Sequence, residues 1–90
     1  MTRTNYTRNE IVDIVKKSIV KILKVDPSKI TDDASVVSDL GADGLDCVEL
    51  VISLEGKFSV PLQEKDLGSS GYSFTINDMV GIICSKLGIK

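Results

Sequence analysis

Histidine and tryptophan are missing from this chain, cysteine and proline occur twice each, and aromatic residues make up 4% of it. Without histidine there is no imidazole to activate a cysteine or serine nucleophile, and none to ligate zinc. The two thiols, Cys47 and Cys84, lack CxxC spacing, so a zinc site has no support from them either. Both fall inside helical patterns and read as small apolar residues in a reducing compartment. With no nucleophile–base pair and no cluster of metal ligands, nothing supports catalysis by the domain itself. The scarcity of aromatics means that a core must be built mostly from Ile, Val and Leu. No run of about 18 apolar residues occurs, so no membrane-spanning helix is expected. The opening MTRTNYTRN has no apolar h-region and is not a secretory signal. It is basic and free of acids, but too short to read as a transit peptide. These features point to the cytoplasm, with an organellar role left open.

What is present suits one small domain over residues 1–90, with 1–6 expected to be flexible. The apolar fraction of 42% suffices for a globular core. A chain of this length buries only about 60–70% of the surface that its unfolded form exposes, so the core is modest. There are no repeats and no low-complexity tracts. The net charge of −2 hides an asymmetry. Six basic residues within positions 1–25 face only Glu10 and Asp13, whereas positions 26–66 hold ten acids against Lys29, Lys57 and Lys65. So acidic a middle segment favours basic partners and repels nucleic acid. The basic stretch has no interleaved aromatics, which also argues against nucleic-acid binding.

Three helical patterns stand out. The first opens on a capping box, Thr7 to Glu10, and continues through Ile11, Val15, Ile19, Ile22 and Leu23, with Pro27 expected to stop it. A long polar connection over 26–42 is punctuated by Ile30, Ala34, Val36, Val37 and Leu40; a loop of this length usually pins itself to the core with such residues or carries function. Gly41 supplies a turn position tolerant of positive φ. The second helix begins at Asp43, paired with Asp46 in a variant of the same box. Its apolar residues fall into two stripes: Leu50, Val51, Leu54 and Phe58 on one side, and Leu45, Val48 and Ile52 on another. One stripe can face the core; the second must meet another helix, a ligand or a partner. A short helical turn is expected across Gln63–Leu67 in the LQEKDLGSSGYS segment. The last helix starts at Thr75, with Asp78 three residues on, carries Ile76, Met79, Val80, Ile83, Cys84 and Leu87, and ends at Gly88. No alternating pattern suggests a strand. The fold class is all-α: a small four-helix bundle of three main helices and a short one.

The stretch DLGADGLDCVELVISLEGKF resembles the central signature of acyl carrier proteins, which runs DLGADSLD followed by an amphipathic VEL helix. The first helix ending at KVDPSKI and the last around TINDMVGII also fall in that family's order, so the likeness covers about residues 8–88. The resemblance implies a four-helix bundle with a short third helix. It also implies a carrier rather than an enzyme, acting as a monomer. In the family a serine at the start of the second helix is esterified to 4′-phosphopantetheine, whose thiol carries acyl groups between enzymes. A helix N-terminus suits the phosphodiester's charge. In this chain that position is Gly44, framed by Asp43, Leu45 and Asp46 as the family's serine would be. No other serine lies in such a frame: Ser38 falls in the preceding loop, and Ser69 and Ser70 in a later turn.

Two origins fit Gly44. A Ser-to-Gly change would leave an otherwise complete carrier in fatty-acid or related lipid or polyketide biosynthesis, and the intact frame favours it. Alternatively, a carrier-like interaction module has naturally lost its arm. The resemblance also implies that the acidic second helix recognises basic docking patches on a phosphopantetheinyl transferase and on acyl-processing enzymes, through Asp46, Val48, Glu49, Ile52 and Glu55. Exposed apolar residues rimmed by acids suggest such an interface. Gly56 and Lys57 stand where more acid is usual in the family. With the basic first helix and the LGSSGYS turn, they suggest a specialised carrier. A weaker alternative is a divalent-cation-binding acidic domain. With Asp39 as the first position of an EF-hand loop, Asp43 and Gly44 fall correctly. Gly41 and Leu50, however, stand where an oxygen ligand and a bidentate Glu are needed. No metal ligands are therefore assigned.

Overall fold

The computed structural model describes residues 6–62 and 74–89. Helix α1 runs Arg8–Leu23, α2 Gly44–Phe58 and α3 Ile76–Leu87, with a 3-10 turn at Pro27–Lys29. The expected short helix at 63–67 lies outside the described residues, as does the terminal segment 1–5. The architecture is a small helical bundle in which α1 packs against both α2 and α3.

Each helix starts where its sequence supplies both halves of a capping box. Thr7 Oγ1 accepts from Glu10 N at 3.2 Å, and the Glu10 carboxylate accepts from Thr7 N at 3.0 Å. Thr75 and Asp78 repeat the exchange at α3, at 3.1 and 3.0 Å. Helix α1 ends at Leu23, ahead of Pro27. The stop is Lys24, whose left-handed backbone (φ 56°) lets its N–H return to Val20 O. Asp26, restricted by the following proline, then takes an extended conformation and accepts from Ser28 N at 2.9 Å. At the far end Gly88 (φ 73°) closes α3, and Ile89 N donates to Cys84 O.

One apolar face of each helix makes the core. Helix α1 contributes Ile11, Val15 and Ile19, α2 Cys47, Leu50, Leu54 and Phe58, and α3 Ile76, Met79, Val80, Ile83 and Cys84. Val51, Ile22 and Leu23 are only half-buried against it. The 26–42 connection is pinned by Ile30, Ala34, Val36, Leu40 and Ala42. Val37 does not join them: it stays 39% exposed. Residues 35–41 wrap on themselves there, Asp39, Leu40 and Gly41 donating to Ser35, Ser35 and Val37 carbonyls, with Gly41 at φ 76°.

The same connection is stitched to the start of α3. Val36 N donates to Phe74 O, Ile76 N to Ala34 O and Asn77 N to Asp32 O, around a single antiparallel bridge between Ser35 and Thr75. Nothing in the sequence pattern announces this pairing. At the other end of the bundle Tyr6 packs edge-on against Phe58 (centroids 4.9 Å apart, 74°), and its hydroxyl donates to Lys57 O.

Candidate functional site

Asp43 is the N-cap of α2. Its Oδ1 accepts from Asp46 N at 2.8 Å, and Asp46 Oδ2 accepts from Asp43 N at 3.2 Å. This reciprocal pair fixes the direction in which the chain enters the helix and places two negative charges at its positive end. Gly44 is the first helical residue, directly inside that clamp. Its backbone lies outside the left-handed region, and a Cβ added there would meet nothing within 4 Å. Glycine is therefore not required by the turn or by packing. Any small side chain placed at 44 would project into open space from a rigid helix start.

The residues around Gly44 suit a phosphate-bearing group: an exposed helix N-terminus, room for a substituent and a fixed backbone. The attachment atom is absent. The thiol three positions on offers no substitute. Cys47 is fully buried, and burial first, then the Asp46 and Asp43 carboxylates, pushes its thiol above the ordinary value of 9.0. A protonated, inaccessible thiol is not a nucleophile. Ser38 sits on the exposed loop, with its N–H on Ser35 Oγ, and Ser69 and Ser70 lie outside the described residues. As the chain stands, its residues do not fit covalent attachment of an arm at position 44.

Beyond Gly44 the outward side of α2 carries Leu45 (68% exposed), Val48 (39%) and Ile52 (62%). Spacings of three and four residues place them along one helix face. With Val37 they are the large apolar side chains exposed to this degree among the described residues. Asp43 and Glu49 are exposed beside this stripe, and Asp46 is half-buried, its carboxylate accepting from Asp43 N. Glu55 is placed differently. It is half-buried, and its Oε2 accepts from Leu62 N at 3.0 Å, tying the segment after Pro61 back to the helix. The structure thus brings Leu45, Val48, Ile52, Asp43 and Glu49 to one outer surface and occupies Glu55 with its own backbone. Val37, on the loop before α2, is a further exposed apolar residue, set apart from the buried Val36 and Leu40 beside it.

The acids of the EF-hand-like stretch also turn inward on the backbone. Asp39 Oδ2 accepts from Ser35 N at 2.7 Å, Asp43 serves α2, and Leu50 is 1% exposed in the core. Among the described residues no group of three or more Asp, Glu or Cys converges to hold a metal ion, and no helix is long and apolar enough to cross a membrane.

Residues 13–83 match the family model described as phosphopantetheine attachment site. The chain is 42% identical to the acyl carrier protein of Thermotoga maritima over 82 residues, covering 91% of this chain and 98% of that protein. It is 35% identical to that of Phenylobacterium zucineum over 80 residues (89% and 98%), and 36% identical to that of Caulobacter vibrioides over 78 residues (87% and 96%).

Proposed function

The chain belongs to the acyl carrier protein family, carriers rather than enzymes whose cofactor is 4′-phosphopantetheine, and from that membership we propose that it is a carrier held in a form that cannot be charged, because residue 44 is glycine. Its working form has serine at 44. In that form it serves fatty-acid or related lipid or polyketide biosynthesis in the cytoplasm or an organelle, as a monomer. The observation that carries the reading is the intact frame around a missing hydroxyl: the Asp43–Asp46 clamp, the helix start at Gly44 and open space at its Cα.

The outer face of α2 is the docking surface in this reading. Leu45, Val48 and Ile52 supply apolar contact area, and Asp43, Asp46 and Glu49 set orientation against a basic patch on the partner. Partners of this kind are a phosphopantetheinyl transferase and acyl-processing enzymes. A pure interaction module that docks without carrying shares this surface, and the exposed stripe supports it equally. The two differ only in whether serine at 44 restores charging. The docking surface is tested by measuring affinity for a phosphopantetheinyl transferase by calorimetry. Leu45→Ser and Glu49→Lys should each weaken it by about tenfold or more while leaving Tm unchanged, because neither side chain is in the core. Unaltered affinity in both variants would remove the docking role from this face.

A further inference from the structure

A second feature lies on the flank of α2, between it and α1. A groove of about 340 Å³ opens there, lined by Lys17, Ser18 and Lys21 from α1 and by Glu49, Ser53 and Lys57 from α2. The α2 residues recur every fourth position, so they line one edge of that helix, while the α1 residues occupy a single turn.

The charge inside the groove is unbalanced. Lys17 is paired with Asp13 at 2.9 Å. Among the described residues Lys21 and Lys57 take part in no ion pair, and Glu49 is the one acid among the lining residues. Two lysines outside any ion pair therefore line one concave surface with a single carboxylate, in a protein whose net charge is negative. The hydrogen-bonding is also incomplete. Ser18 is 2% exposed, and its hydroxyl is a buried side-chain oxygen with no partner. Helix interiors usually satisfy a buried serine through the carbonyl one turn back; here that bond is not made, and a buried hydroxyl left alone calls for a partner.

We propose that this α1–α2 groove binds a small oxyanion of the phosphate class, held by Lys21 and Lys57, with the Ser18 and Ser53 hydroxyls as hydrogen-bond donors. Lysine supplies the point charges such an anion needs, and hydroxyls complete its shell. The groove is built from residues 17–22 and 49–57 and does not depend on what stands at position 44. It shares Glu49 with the docking face of α2.

The test is an amide-shift titration of the full chain by NMR, with ionic strength held constant by sodium chloride. One arm adds inorganic phosphate and the other glycerol 3-phosphate. The expected result is saturating shifts confined to residues 17–22 and 49–57. Lys21→Gln and Lys57→Gln should each raise the apparent Kd about tenfold. Ser18→Ala should weaken binding without lowering Tm in phosphate-free buffer, and Lys16→Gln, on a side chain paired with Asp32 outside the groove, should leave it unchanged. Tighter binding of the ester assigns the groove to an esterified phosphate, and equal binding to the free ion. Shifts that fail to saturate in both arms, that sodium chloride alone reproduces, or that survive loss of both lysines would overturn the proposal.

Discussion

At the scale of single residues, local chemistry made much of the candidate site readable. The Asp43–Asp46 exchange spans three positions and needs no tertiary contact, so its pattern in the sequence is its geometry in the structure. Gly44 was legible for the opposite reason: it breaks an otherwise complete motif. The fates of Val37, Lys24 and Glu55 were not legible. Val37 is turned out by a loop closing on itself, Lys24 takes a left-handed backbone without being glycine, and Glu55 meets a backbone N–H seven residues on. Two predictions belong here. Cys47 should resist iodoacetamide at pH 8 in the folded chain, with a rate at least about a hundredfold below that in urea, because burial and the neighbouring acids keep its thiol protonated. Peptide mass spectrometry reads this directly, and fast modification of Cys47 would show that the helix start opens. Asp26 accepts from the Ser28 N–H, which, with the Ser28 hydroxyl and Lys29, holds its carboxyl below the ordinary 3.8. A lowered folded-state value stabilises the fold above the unfolded pKa and loses that contribution as pH falls through the folded one. Asp26→Asn should therefore make urea-unfolding stability fall less steeply below pH 3.8, and an unchanged acid limb would contradict the assignment.

At the scale of elements, helices were legible and their connections were not. Each helix combines a capping box with an apolar stripe of helical period, both local signals. The bridge joining Ser35 to Thr75 pairs segments forty residues apart through backbone groups alone, so no side-chain pattern reports it. Helix α2 is the informative element because it has two apolar faces with different fates. Leu50, Leu54 and Phe58 go inside, while Leu45 and Ile52 stay out. The consequence is a contrast in stability. Leu54→Ala should cost about 2–5 kcal/mol, the sum of lost burial and a residual cavity. A urea midpoint equal to that of the parent would place Leu54 outside the core.

At the scale of the molecule, the basic and acidic segments end up on different helices. Helix α1, with its lysines, packs against both α2 and α3, and most of the described acids of the middle segment lie at the start of α2 and in the loop before it. The result has an acidic, partly apolar outer face on α2 and a lysine-lined groove between α1 and α2. The fold and its family were legible because helix order, caps and the DLGADGLD stretch all agree, as consistent sequences do. What no local pattern supplied was the placement of the loop, and with it the exposure of Val37. Whether Gly44 alone blocks charging is read by intact mass. The protein is incubated with coenzyme A and a broad-specificity phosphopantetheinyl transferase, alongside Gly44→Ser. One phosphopantetheine arm is expected on the serine form and none on the glycine form. An arm on the glycine form would place attachment at another residue, and none on either form would show that this face is not one the transferase reads.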